Sequence, residues 1–234
     1  MCKRLTLFFV VILVSFGCSI RYCEQTEQAK IEHMILPSVG ILENGSFAGS
    51  GTIVGADGER AYVLTAKHVI VPSFPMMPAV YSVAVFYEET LKVYIVDIIY
   101  SDLRYDFAVL AFDYVAYPEV ADIATDKEIG SLTVFSPLYL IGCGADTPYP
   151  YPRRGELFYK DEERMRGTTL TWYGDSGGGI FSGKTHHLVG VLSTVTIQRP
   201  FGYPVVVTHN VGYVPINLIK KRLKAARMDF VFRR

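Results

Sequence analysis

Gly174-Asp175-Ser176-Gly177-Gly178-Gly179, followed by the apolar pair Ile180-Phe181, is the stretch whose reading decides the rest of the chain. A small hydroxyl nucleophile stands between glycines. Glycine takes backbone dihedrals that other residues resist, so such a turn can present the Ser176 hydroxyl outward. The same turn can aim the N–H groups of Gly174 and Ser176 at one point, where an oxyanion would form. A serine alone is inert; it needs a base, and the base needs a group to orient it.

Two upstream segments supply candidates. Leu64-Thr65-Ala66-Lys67-His68-Val69 puts a histidine just past a hydrophobic strand, and Tyr105-Asp106-Phe107-Ala108-Val109-Leu110 puts an aspartate at the head of another. A carboxylate entering an apolar strand is costly to bury unless it is hydrogen-bonded, and an imidazole N–H is a suitable donor. Taken singly, each has a plainer reading: His68 as a satisfied core histidine, Asp106 as a strand-start turn residue, and residues 174–179 as a loop. Their combination is what points to chemistry.

Composition bounds the fold. The chain has 234 residues, half of them hydrophobic, which suits one domain or two small fused ones. Lys+Arg and Asp+Glu balance at 23 each, so there is no basic footprint for nucleic acid. From Ile35 onward, short apolar runs alternate with Gly, Pro, Asn and Asp. Ser38–Leu42, Gly51–Val54, Ala61–Thr65, Val80–Phe86, Leu91–Ile99 and Phe107–Phe112 read as strands, with turn signals at Glu43-Asn44-Gly45 and Ala56-Asp57-Gly58. After a polar crossing at Tyr117–Glu128 come Ser131–Phe135, Leu138–Cys143, Gly167–Thr171, Gly178–Phe181, Leu188–Val195 and Val205–Val214. Many short strands at this spacing predict an all-β fold, sandwich or barrel, and the split predicts two of them, residues 35–116 and 117–214. Pro215 then opens a basic amphipathic helix in residues 215–234, with Ile216, Ile219 and Leu223 on one face. It is expected to pack on its own domain.

The N-terminus reads as a targeting segment. Lys3 and Arg4 precede an apolar run from Leu5 to Phe16, shorter than the about 20 residues a membrane span needs but suited to a signal peptide over residues 1–17. Residues 18–34 read as a linker. The Gly17-Cys18 junction also resembles a lipoprotein cleavage site, which leaves open membrane attachment through a lipidated Cys18. Export would permit a disulfide between Cys23 and Cys143; a buried free thiol at Cys143, within an apolar run, is the other reading. The cysteines and His186-His187 lack metal-ligand spacing, so neither metal nor cofactor is expected.

At this point a resemblance enters. Gly49-Ser50-Gly51-Thr52-Ile53-Val54, Leu64–Val69, Asp106–Leu110, Gly174–Gly178 and Gly212-Tyr213-Val214-Pro215-Ile216-Asn217 resemble, in order, the motifs of a chymotrypsin-clan, trypsin-like serine protease. The nearest flavour is the protease domain of bacterial Deg/HtrA-type enzymes. The similarity covers about residues 36 to 226. It implies two six-stranded antiparallel β-barrels with the active site between them, followed by a C-terminal helix. It implies a serine endopeptidase acting on proteins or peptides, with His68, Asp106 and Ser176 as triad and Gly174 and Ser176 as oxyanion donors. Leu170 and Thr171 would lie at the base of the specificity pocket, with Leu192, Ser193, Thr194 and Val195 as its wall, and Ser193 within reach of Asp106. No acidic side chain stands at Leu170, so small or medium apolar P1 residues are expected rather than Lys or Arg. The Ile-Val-Gly-Gly start of zymogen-derived enzymes is missing, which leaves the role of Asp175 open. No peptide-binding domain is expected to regulate the chain. Pro72–Pro78 and Thr147–Arg154 read as loops that could modulate access, the second as an exposed connection. The competing readings are a catalytically silent protease-fold binding protein and a structural lipoprotein; the second leaves the triad unexplained.

Overall fold

A computed structural model describes residues 27–73, 78–87, 90–115, 118–144, 147, 149–198 and 205–233. The expected signal peptide, Cys18, Cys23, most of the first expected access loop and part of the second lie outside the described residues. Residues 27–35 are helical, a period that the polar composition of the expected linker did not suggest. The chain divides into two compact units, Met1–His33 and Met34–Arg234, and the second holds both sheets.

The first sheet contains β1 (Ser38–Glu43), β2 (Ser46–Asp57), β3 (Arg60–Thr65), β4 (Tyr81–Tyr87), β5 (Thr90–Ile95), β6 (Asp97–Ser101) and β7 (Ala108–Asp113). They run in the order β5-β4-β1-β2-β3-β7-β6, antiparallel at each neighbouring pair, and make an open half-barrel. The strand expected over Leu91–Ile99 is two, because the chain breaks at Val96, whose N–H turns to Tyr81 O at 3.1 Å. That break takes the sheet to seven strands, β5 at one edge and β6 at the other. Its core includes Val39, Ile41, Ile53, Val63, Val83, Leu110 and Phe112. On the edge strand β5 the apolar Leu91, Val93 and Ile95 face outward while Tyr94 turns in against Phe112, ring centroids 5.0 Å apart.

The second sheet is a closed six-stranded barrel, β10-β13-β12-β11-β8-β9, built from β8 (Pro137–Gly142), β9 (Tyr151–Lys160), β10 (Met165–Gly167), β11 (Gly179–Ser182), β12 (Leu188–Gln198) and β13 (Val205–Pro215). Two sequence expectations are corrected here. Ser131–Phe135 is no strand; helix α1 (Asp126–Ser131) ends there, started by a capping box in which Thr125 Oγ1 accepts the Glu128 N–H and Glu128 accepts the Thr125 N–H. The missing sixth strand is β9, which begins inside the Pro/Tyr-rich segment expected to be an exposed connection. Pro152 is tolerated because this end of β9 pairs only with β8, through Ile141. The all-β architecture of paired barrel-like sheets with a C-terminal helix is otherwise as the sequence implies.

Among the links between the sheets are the crossing segment and the C-terminal elements. Ala121 N–H donates to Ile53 O in the first sheet, while Ala124 N–H donates to Leu188 O in the second. Helix α2 (Ile216–Ala225) buries Ile216, Leu218, Ile219 and Leu223. The turn after it, Asp229–Phe232, returns to β2: Ala56 N–H donates to Arg233 O, and Phe230 meets Tyr62 edge-on at 5.5 Å. Among the described residues no helix is long and apolar enough to cross a membrane.

Candidate active site

The turn that carries Ser176 joins β10 to β11 and is fixed from both sheets. Gly174 and Gly177 hold φ of +93° and +85°, conformations that side chains resist. At Gly177 a Cβ would also stand 2.2 Å from Ser50 O and from Thr65 Oγ1, so glycine is required there twice over. Ser50, on β2, donates its N–H to Ser176 O at 2.7 Å and its hydroxyl to Gly174 O at 2.6 Å, and accepts the Cys143 N–H at 2.8 Å. From β12, Leu192 accepts the Gly177 N–H and donates to Gly178 O. Among the hydrogen bonds of the described residues, none uses the N–H of Gly174 or of Ser176. Both residues line a cleft that a ligand can enter.

His68 sits on the 3-10 turn Lys67–Ile70, seated by the buried Val69 and Ile70. Asp106 ends a bend set by a residue the motifs did not flag, Asp102. Its Oδ1 accepts the N–H of Arg104 and of Tyr105, and its Oδ2 accepts Tyr100 Oη–H and Arg222 Nε–H, all between 2.8 and 2.9 Å. Burial alone would raise the Asp102 carboxyl, but these donors outweigh it and hold it below the ordinary carboxylate range. Helix α2, through Arg222, thus steadies the bend that presents Asp106.

The Asp106 carboxylate grips His68 twice: Oδ1 accepts its backbone N–H at 2.9 Å, and Oδ2 lies 2.8 Å from Nδ1. A carboxylate can only accept, so Nδ1 carries the proton and Nε2 is left with its lone pair. Ser193 Oγ donates to the same Oδ2 at 2.7 Å. Burial would raise this carboxyl, yet the His68 and Ser193 hydrogen bonds prevail and it titrates below its usual value.

Two clefts reach these groups. One, of about 440 Å³, has His68, Gly174 and Ser176 in its lining, with Phe47, Trp172 and Tyr173 as its large side chains. Ser176 Oγ and His68 share this cleft without a direct hydrogen bond among those of the described residues; such contacts tighten when substrate arrives. The other, of about 610 Å³, lies along Asp106, Ser193 and Thr194. Of the expected pocket residues, Ser193 and Thr194 line the second cleft. Leu170 is half-buried, Thr171 and Leu192 are buried, and neither cleft includes them. The side chain of Val195 lies outside the described residues.

Cys143 is a buried free thiol, pushed up to about 12 by burial and therefore unreactive. Asp175 is fully buried and ion-paired with Arg153, itself 7% exposed. Burial pushes the Asp175 carboxyl up, against the pull of Arg153 and the Trp172 N–H. Arg153 was read as part of an exposed connection; β9 carries it inside instead. Among the described residues no group of three or more His, Cys, Asp or Glu is placed to hold a metal ion.

Residues 49–191, which contain both the His68–Asp106 pair and the nucleophile turn, match the model of the trypsin-like peptidase domain. The chain belongs to the trypsin-like peptidase family. By that membership it is a serine-type endopeptidase. No curated protein is similar enough in sequence to match this peptidase. Among solved structures it is similar to the HtrA-type protease AlgW with a decapeptide, at 14% identity and a TM-score of 0.68, covering 86% of this chain and 67% of that one. It is also similar to a serine endoprotease from Yersinia pestis (18%, TM-score 0.66, covering 84% and 64%) and to Deg5 (16%, 0.67, covering 85% and 92%). At these identities the likeness is one of fold. The peptidase spans about two thirds of the length of the first two.

Proposed function

We propose that this peptidase cleaves peptide bonds through a Ser176–His68–Asp106 triad and an acyl-enzyme. Ser176 Oγ attacks the carbonyl carbon while His68 Nε2 takes its proton and then delivers it to the leaving amine. Water repeats the sequence on the ester and releases Ser176. Asp106 keeps the proton on Nδ1 and balances the imidazolium that forms. The N–H groups of Gly174 and Ser176 receive the oxyanion. One observation carries the reading: a carboxylate with two bonds to His68 stands beside a cleft lined by His68, Gly174 and Ser176, and among the described residues the N–H groups of the last two make no hydrogen bond.

Hydrolysis of a quenched fluorescent peptide library tests it. Ser176→Ala should lower kcat by about 10⁶. Wild-type turnover equal to that of Ser176→Ala would favour a silent binding protein. Leu170, Thr171, Leu192, Ser193, Thr194 and Val195 form the P1 side. With Leu170 in place of a counter-charge, the library should yield small or medium apolar P1 residues; cleavage concentrated after Arg would contradict this. The protein is exported by residues 1–17 and, when Cys18 is lipidated, held at a membrane; the mass of the mature N-terminus tests both.

A further inference from the structure

The proposed triad leaves unexplained an apolar surface in its own cleft. Trp172 and Tyr173, the two residues ahead of Gly174, are 50% and 74% exposed, and Val71, just past the His68 turn, is 56% exposed. All three line the cleft of about 440 Å³ that holds His68 and Ser176, together with Phe47 and Ala48 near the start of β2. Single exposed apolar residues are ordinary, but an apolar lining shared by several of them in one cleft marks a surface that something covers. Glu43, an acidic residue of the same lining, is buried, and its oxygens accept the Ser73 N–H at 2.9 Å and the Ser73 hydroxyl at 2.5 Å. Its charge is thus engaged inside the chain, and the large side chains that the cleft presents to a ligand are apolar.

The strands say which part of a substrate would meet this lining. β12 pairs with β13 along one edge; along the other it pairs with β11 as far as Val191, and Leu192 then bonds Gly177 and Gly178. Beyond that point Ser193 and Thr194 line the cleft of about 610 Å³. A substrate can add to this free edge as a strand, antiparallel like the barrel's own pairings. It then passes Thr194 first and Ser193 next, and reaches the turn that carries Ser176. Residues before the cleaved bond lie in the larger cleft. Residues after it run on, past His68 and Ser176, into the smaller one. At about 3.3 Å per extended residue, the first two of them come against its apolar lining. Trp172 is prepared for such a contact. Its N–H donates to Asp175 Oδ2 at 2.6 Å and its carbonyl accepts the Asp175 N–H at 3.2 Å, so its main chain is already ordered. A ring with two side-chain torsions loses little freedom when it is covered.

We infer that the smaller cleft selects substrates on the leaving side, by taking a large apolar side chain, aromatic or aliphatic, from the first or second residue after the cleaved bond. Trp172 and Tyr173 are the residues that determine this specificity. The inference rests on the triad reading and adds a substrate class to it.

The experiment uses the full chain, Ser176→Ala, the pair Trp172→Ala with Tyr173→Ala, and the pair Trp172→Phe with Tyr173→Phe. The substrates are quenched fluorescent peptides identical up to the cleaved bond, with Phe, Leu or Gly at the first or the second position after it. Labelling by a fluorophosphonate comes first. A wild type that labels no faster than Ser176→Ala ends the triad reading and this inference with it. If wild type labels faster, the peptides judge this inference alone. Phe or Leu at one of the two positions should raise kcat/KM at least about tenfold over Gly. The double alanine variant should bring that ratio below about threefold, and the double phenylalanine variant should keep it. General damage to the turn would slow all the peptides alike and leave the ratio in place. Trp172 is the only tryptophan of the chain. In Ser176→Ala its emission should shift when the Phe peptide is added, and stay constant with the Gly peptide at the same concentration. A wild-type ratio under tenfold at both positions overturns the inference, as does a ratio above threefold in the double alanine variant. If that variant does not fold, the emission decides, and a Trp172 signal indifferent to the Phe peptide overturns the inference. Emission that shifts with protein concentration alone also overturns it, in favour of a second copy of the chain covering the aromatic pair.

Discussion

The open sheet and the closed barrel hold their shares of the site in different ways. The open sheet contributes charge on partly exposed side chains: His68 is 47% exposed and Asp106 28%, and three hydrogen bonds onto one carboxylate define their geometry. The barrel contributes the proposed backbone donors and nucleophile on a turn whose fixings, Ser50, Leu192 and the Arg153–Asp175 pair, are interior. Damage to the first half should therefore be kinetic, with the fold left intact. Damage to the second should be kinetic and structural together, because unpairing a buried charge costs about 3–5 kcal/mol.

The largest effect that would sharpen this contrast is Asp106→Asn. The amide would offer an N–H where a carboxylate accepted one, trapping the proton on Nε2. We expect kcat to fall by about 10⁴ with almost no change in melting temperature. A large drop in melting temperature would break the contrast, since it would make the exposed dyad structural. Intermediate in size is Asp102→Asn, which weakens four hydrogen bonds at a buried carboxylate and should cost about 2 kcal/mol of stability. Its pH dependence has a definite sign. The Asp102 carboxyl titrates lower in the folded chain than unfolded. Its contribution is therefore complete above about pH 4 and is lost as pH falls through the lower folded value. Urea unfolding of both proteins should show their gap closing below pH 4; a gap constant down to pH 2 would contradict the assignment. The smallest effect is Ser193→Ala. One of three hydrogen bonds to Asp106 is removed, which predicts a loss of about three- to tenfold in kcat.

The same division explains what the sequence made legible. His68, Asp106 and Ser176 stand in local motifs, because a base after a strand, an acid before one and a nucleophile between glycines each need fixed neighbours. The Ser193–Asp106 bond is implied by the family resemblance alone, since no local pattern links the two residues. Arg153 was invisible for the opposite reason: its partner is 22 residues away, and Pro150 and Pro152 argue for a loop wherever edge pairing is unknown. Asp102 is likewise an ordinary turn residue until helix α2 brings Arg222 to it. The helix at Asp126–Ser131 was readable, since Thr125-Asp126-Lys127-Glu128 spells a capping box, but six residues carry too little apolar period to announce it. The break at Val96 had only a weak sequence sign, the single charge at Asp97 between the apolar pairs Ile95-Val96 and Ile98-Ile99.

Mass-spectrometric mapping of a fluorophosphonate adduct tests the proposed triad most directly. One adduct per chain is expected, on Ser176, forming at least 10³-fold more slowly in His68→Ala, whose base is gone. An adduct on another residue, or one on Ser176 that forms equally fast without the imidazole, would contradict it.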